Sequence, residues 1–310
     1  MTTPALNLAR VALGCGNFGG VGSAPELFGE GLDQRQAFEL MDAAWELGIR
    51  HFDTADAYGG GRSELMIGAW IRTRGVLPRL TTKTFNPMFA GADHGLAPER
   101  ILRQLDGSLE RLGIERVDLY LAHDYDPAVA LEDTFEALES RLAAGLIGAY
   151  GLSNFSAAEL EAALAAGAPR AVQNSYSLLD RADEDSVLPA CAASGVAYLA
   201  FGPLAGGWLT GKYRRNQPFP TGSRMTQRPE PYARLVNDST FDALERLRSF
   251  AADRRTSMAA VALAWLLSDD RVTQVVTGPG EPAHLAPVGE ALAHPVSDDE
   301  RVLLDSLFKR

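Results

Sequence analysis

The chain has 310 residues, 46% of them hydrophobic and 22% charged, an ordinary balance for a soluble globular protein with a large core. A net charge of −11 argues against duplex nucleic acid or a membrane surface as partner, and no apolar run of about eighteen residues supplies a spanning helix. The two cysteines, Cys15 and Cys191, lie far apart without metal-ligand spacing, and Met1 to Leu8 lacks a secretory pattern, so neither a disulfide framework nor a zinc site is expected and the cytoplasm is the expected home.

Val11 to Cys15 reads as a first short strand. Asp33 with Gln36 reads as a capping box, and Ala37, Leu40, Met41, Ala44 and Trp45 trace one helical face that stops at Gly48. A second strand, Ile49 to Asp53, follows at once. The unit then repeats. A helix from about Ser63 to Arg74 stops at Gly75 before the strand Arg79 to Thr84. Pro98 opens a helix with the stripe Ile101, Leu102, Leu105, Leu109 and Leu112, and Gly113 ends it before the strand Val117 to Leu121. A helix around Leu131 to Ala144 stops at Gly145 before Leu146 to Leu152. Ser156 with Glu159 caps another, ending near Gly167 before Ala171 to Gln173. A helix over Asp183 to Ser194 stops at Gly195 before Val196 to Phe201. The C-terminal part predicts helices over Thr240–Asp253 and Ser257–Ser268, a strand Thr273–Thr277, a helix near Glu281–Leu292 and a tail helix capped by Ser297 with Glu300.

Apolar runs following helix-stopping glycines imply parallel strands with helical crossovers. About eight such pairs in this length predict one (β/α)8 barrel domain spanning residues 1–310, with a long loop after strand seven and a C-terminal helix. The rival, an open doubly wound sheet, normally carries a GxGxxG turn that opens its first helix. Gly14, Gly16 and Gly19 fit those letters, but a loop of more than ten residues follows them, so the barrel is preferred. The one long irregular segment runs from Gly202 to about Asn237, and a loop of that length in a compact fold is usually functional or disordered.

In a barrel, chemistry gathers where strands meet the following loops. Asp53 and Tyr58 follow strand two, Lys83 lies in strand three and His123 follows strand four. Taken alone, residues 51–59 read equally as a capped turn in which Asp53 or Asp56 binds backbone amides. Each of the others also has a structural reading. Together they place an acid, a phenol, an ammonium and an imidazole on one face. Tyrosine is a poor acid near neutrality, with an ordinary pKa of about 10, and a nearby ammonium stabilises its phenolate. Asp53 would hold Lys83 charged, and a neutral His123 would bond the same substrate oxygen. The set is a proton donor aimed at a carbonyl, needing a hydride source beside it.

Residues 52–59 (FDTADAYG), Thr82-Lys83, residues 118–123 (DLYLAH), residues 151–155 (GLSNF) and residues 173–179 (QNSYSLL) resemble, in order and over nearly the whole chain, the signatures of the aldo-keto reductase superfamily. The resemblance implies a barrel that binds a nicotinamide cofactor without a Rossmann domain. It implies Tyr58 as general acid/base, Lys83 as its pKa-lowering partner, Asp53 as the partner of Lys83, itself counted with the cofactor site, and His123 as the group that orients the carbonyl. It places Ser153, Asn154 and Gln173 on the nicotinamide carboxamide and Phe201 against the nicotinamide ring. Gly202, Leu204, Gly206, Gly207 and Lys212 fall in the cofactor-covering loop, and Gly278, Gly280, Glu281 and His284 in the segment facing the adenosine 2′-group.

Relatives often carry arginine in that last segment, where this chain has Gly280 and Glu281. A carboxylate repels a phosphate dianion and accepts a hydrogen bond from a ribose hydroxyl. Lys212, Arg214 or Arg224 can supply the cation instead, so NADP(H) is expected, with NAD(H) as the alternative. The expected activity is NAD(P)(H)-dependent interconversion of aldehyde or ketone and alcohol, with a small-molecule carbonyl or alcohol as substrate. Alternatives are an NAD-dependent sugar or alcohol dehydrogenase and a cofactor-sensing binding subunit. Phe18, Phe85, Tyr125 and Trp208 are candidate pocket walls, with core packing as the competing account. No metal is expected, and the sequence leaves the oligomeric state open.

Overall fold

Every strand pairing is parallel, and the eighth strand closes on the first to complete a barrel in the order β1 to β8. The structure is a computed structural model describing residues 10–308; the Met1 to Leu8 stretch lies outside the described residues. The strands are β1 (Val11–Gly14), β2 (His51–Asp53), β3 (Arg79–Thr84), β4 (Val117–Ala122), β5 (Ile147–Ser153), β6 (Ala171–Ser175), β7 (Ala197–Phe201) and β8 (Val272–Thr277). Between and after them lie α1 (Gln34–Glu46), α2 (Arg62–Arg74), α3 (Pro98–Leu112), α4 (Leu131–Ala143), α5 (Ala157–Ala166), α6 (Val187–Ser194), α7 (Arg224–Gln227), α8 (Asp238–Asp253), α9 (Met258–Leu267), α10 (Ala286–Ala293) and α11 (Asp298–Leu307).

The capping boxes at Asp33, Ser156 and Ser297 are all formed. Gly48, Gly75, Gly113, Gly145 and Gly195 are left-handed, as expected for helix stops, whereas Gly167 is extended at φ −162°. The helix expected from Asp183 begins only at Val187; residues 183–186 form turns, and the Asp183 carboxylate accepts from Asn174 and Tyr198. The long segment after β7 is no bare loop. It contains 3-10 turns at Ala205–Thr210 and Glu230–Leu235 with α7 between them.

Alternation along each strand decides what fills the barrel. Outward residues such as Phe52 and Tyr120 join the large cluster under the helices, with Phe52 packed 5.3 Å from the Trp70 ring. The inward middle layer is a separate apolar cluster of Leu119, Leu121, Ala149, Ala171 and Leu199. Below it the His51 ring lies between Thr81 at 2.8 Å and Gln274 at 2.9 Å. Burial holds that imidazole down at about 4, so it is neutral at physiological pH. Above the apolar layer, inward positions at or near the C-terminal ends of the strands carry Asp53, Lys83, Ser153, Gln173 and Phe201.

Gly151 lets β5 and β6 approach over that layer. A Cβ there would stand 2.4 Å from the Ala171 carbonyl oxygen and 2.8 Å from Leu121 Cδ2. Gly151→Ala is therefore expected to destabilise the barrel by about 1–3 kcal/mol, the usual cost of overpacking. Urea unfolding checks this, and an unchanged midpoint would show that the wall yields.

Candidate active site

Asp53, the last residue of β2, points into the barrel mouth, where its Oδ1 accepts from Lys83 Nζ at 2.5 Å. Lys83 is fully buried, and its ammonium also donates to the Thr54 carbonyl at 2.8 Å. Burial works against the charge, but Asp53 and then Tyr58 outweigh it, so the Lys83 pKa lies above its ordinary value. The second Asp53 oxygen accepts from Gln173 Nε2 at 2.7 Å. Its carboxylate is thus spoken for by side chains from β3 and β6, and the capped-turn alternative does not hold. Asp56, three residues on, makes no hydrogen bond through either side-chain oxygen among the described residues.

Tyr58 reaches the same point from the loop after β2. Its ring packs where a Gly16 Cβ would stand 3.5 Å away, and Lys83 Nζ lies 5.0 Å from the ring centroid. The hydroxyl is 3.4 Å from His123 Nε2, with the two rings edge to face. Desolvation raises the phenol above its ordinary pKa; Lys83 pulls it down and Asp53 pushes it up, and the net shift is upward. The phenol is consequently protonated at neutral pH. Burial and then the Lys83 charge push His123 well below its ordinary value, so the imidazole is neutral. The glycine letters of the β1 loop serve this packing: Gly16 faces Tyr58 and Gly19 faces Arg62.

Ser153 and Gln173 are buried at the mouth beside Asn154, which adopts φ 60° and donates to the His123 carbonyl at 2.8 Å. Phe201 ends β7 next to Ser175, and Gly202, Gly206 and Gly207 follow with positive φ. Leu204 is half-buried between them. The Lys212 side chain lies over Gly207, where a Cβ would fall 2.3 Å from Lys212 Cε. Lys212, Arg224 and Arg228 form no ion pair with a carboxylate among the described residues. Burial and then Arg224 lower the Lys212 pKa; burial lowers Arg224, with Tyr232 opposing it and Arg228 adding to it. A lysine over a glycine cradle, with Arg224 near enough to repel it and no ion-paired acid on either, is chemistry that can hold a diphosphate group. Beyond β8, Gly278 and Gly280 are exposed; the Gly280 amide donates to His284 Nδ1, and His284 Nε2 stands 3.3 Å from Glu281.

Two of the expected pocket walls are corrected. Phe18 and Trp208 are 0% exposed, and Trp208 packs among Tyr213, Phe219 and Phe241, so both are core residues. Phe85 and Tyr125 remain partly exposed on the strand-end loops. Sequence reasoning missed Asn17, whose side chain donates to the Pro279 carbonyl at 2.9 Å and ties the β1 and β8 loops together. It also missed Asn86, 3.3 Å from His123 Nδ1. Neither lies in a motif; only strand-end position, three residues after Lys83, marks Asn86 beforehand.

Residues 10–309 match the model of the Aldo/keto reductase family. The chain is 32% identical to the oxidoreductase YrpG of Bacillus subtilis, over 88% of this chain and 84% of that protein. It is 31% identical to a probable voltage-gated potassium channel subunit beta of rice (Oryza sativa), over 81% of this chain and 80% of that one. Its fold superposes on the glycerol dehydrogenase of Gluconobacter oxydans with a TM-score of 0.82 at 25% identity, covering 99% of this chain and 92% of the other.

Proposed function

The chain belongs to the Aldo/keto reductase family, whose members are oxidoreductases that use nicotinamide cofactors, and on that premise we propose that it interconverts a carbonyl compound and its alcohol with Tyr58 as general acid/base. The observation that carries this reading is the convergence of the Tyr58 hydroxyl, His123 Nε2 and the Asp53-bound Lys83 ammonium at one end of the barrel. A nicotinamide bound at that mouth would supply or accept the hydride at the carbonyl carbon. Tyr58 gives its proton to the carbonyl oxygen in reduction and takes it back in oxidation. Lys83, kept charged by Asp53, stabilises the phenolate left behind, and His123 orients the oxygen as a neutral donor.

Ser153, Asn154 and Gln173 are assigned to the carboxamide. Gln173 gives an amide hydrogen to Asp53, which leaves its carbonyl oxygen to accept. Phe201 is assigned to the ring face, and Gly202, Leu204, Gly206, Gly207, Lys212 and Arg224 to the diphosphate. Gly278, Gly280, Glu281 and His284 line the adenosine end, and Phe85 and Tyr125 the substrate side. NADP(H) is the preferred cofactor on the reading that one cation of the Lys212, Arg224 and Arg228 group reaches past the diphosphate to the 2′-phosphate, and Glu281 keeps NAD(H) as the alternative. The likeness to a glycerol dehydrogenase favours a second reading in which oxidation is the working direction. The channel-subunit likeness keeps a cofactor-sensing role as a third. No helix among the described residues is long and apolar enough to cross a membrane.

The test is consumption of NADPH or NADH against a panel of aldehydes, ketones and sugars. Turnover is expected, and tight cofactor binding with none would favour the sensing role. Separate titrations decide the cofactor, with tighter NADPH expected. Glu281→Arg is expected to strengthen NADPH roughly tenfold, about 1.4 kcal/mol for one charge-assisted contact. An equal gain for NADH would place Glu281 away from the 2′-group.

A further inference from the structure

We propose that Asn86 is a positioning residue that fixes the tautomer of His123, holding the imidazole with its proton on Nε2. The amide nitrogen of Asn86 stands 3.3 Å from His123 Nδ1. An amide nitrogen only donates, so Nδ1 must be the bare, accepting nitrogen. The ring is neutral, since burial and Lys83 both disfavour the imidazolium, and its single proton then sits on Nε2.

The main chain of both residues is fixed, which sets where the two side chains meet. The His123 amide donates to the Thr84 carbonyl at 3.0 Å, and its own carbonyl accepts from Asn154. The Asn86 main-chain carbonyl accepts from Arg100 at 2.7 Å; Arg100 is 2% exposed and also binds Thr84 Oγ1 and the Gly95 carbonyl. A buried guanidinium on α3 therefore anchors the loop that presents Asn86.

The choice of tautomer matters because His123 Nε2 faces the Tyr58 hydroxyl at 3.4 Å. With a proton on Nε2, two donors converge on the substrate oxygen. With Nε2 bare, the imidazole becomes an acceptor for the Tyr58 proton and draws it away from the substrate. This consequence rests on the Tyr58 and His123 roles proposed above; the tautomer itself does not.

Nitrogen-15 NMR of the histidine rings in the cofactor-free protein, assigned with a His123→Gln variant, reads the tautomer directly. The expected result is a protonated Nε2 and a bare Nδ1, and a protonated Nδ1 would overturn the proposal whatever the activity. Asn86→Asp replaces the donor with an acceptor and is expected to move the ring proton to Nδ1. Carbonyl reduction near neutral pH should then fall by about tenfold or more. It should recover toward acid, where the imidazolium restores the Nε2 proton and the wild type shows no such limb. Asn86→Leu, which removes the partner without reversing it, should lose less and keep the wild-type pH profile. Asn86→Asp with a wild-type pH profile would also overturn the proposal. A wild type without turnover but with Nε2 protonated would instead count against the enzymatic reading alone.

Discussion

Tyr58→Phe is expected to lower carbonyl turnover by roughly 10²- to 10⁴-fold, the range for loss of a positioned general acid, while cofactor still binds. The substitution removes one oxygen. The ring keeps its packing against Gly16 and its edge contact with His123, so the barrel mouth is not remodelled. Cofactor affinity, read by fluorescence quenching, should stay within a few-fold because no proposed cofactor contact involves the hydroxyl. Retention of near wild-type turnover in folded Tyr58→Phe would sink the assignment.

The same hydroxyl sets a pH dependence that differs by direction. Desolvation holds its pKa above the ordinary tyrosine value despite the Lys83 charge. Reduction needs the protonated phenol and is expected to be flat near neutrality, falling only on the alkaline side. Oxidation needs the phenolate and should climb with pH over the same range. From the residues, Lys83 was expected to make the proton leave more readily. Its pull is present, but burial outweighs it, and the residue types alone carry no information on burial.

The barrel was legible because its units are punctuated locally: capping boxes at Asp33, Ser156 and Ser297, and left-handed glycines at Gly48, Gly75, Gly113, Gly145 and Gly195. These are short-range effects that hold wherever the chain ends up. Asp53, Lys83, Ser153, Gln173 and Phe201 were legible for a related reason, since each occupies an inward position at or near the C-terminal end of its strand, and closure of the barrel brings such positions together. What stayed hidden depends on which loop crosses which. The Asn17 bridge to Pro279 spans the two ends of the chain, and the Asn86 contact joins the loops after β3 and β4. Trp208 shows the converse. An aromatic in a strand-end loop reads as a pocket wall until the chain after it, with Tyr213 and Phe219, folds over and buries it. Asp183 likewise looked like the start of a helix, and only the fold showed its carboxylate committed to Asn174 and Tyr198.

Asp56→Asn is expected to stabilise the protein at alkaline pH by on the order of 2 to 4 kcal/mol, with the advantage vanishing in acid. Asp53 and Asp56 stand three residues apart on opposite sides of the barrel wall. Asp53 lies inside with Lys83 and Gln173. Asp56 lies outside, fully buried near Glu64, Thr84, Arg100 and Arg111, with neither oxygen in a close hydrogen bond and the Thr84 hydroxyl loosely beside it. Burial and then Glu64 push its carboxyl up to about 7, against the pull of Thr84 and the two arginines. Its ordinary value is 3.8. Between those values the folded protein keeps a proton that the unfolded chain has released, so stability falls as pH rises through the interval, and above it the full cost is present. Asparagine has the shape of the neutral acid and removes that dependence. Urea midpoints of wild type and Asp56→Asn, measured on both sides of the interval, should diverge as pH rises. A constant gap would mean that the Asp56 charge is compensated in the folded protein, and a gap that narrows with pH would reverse the sign derived from its burial.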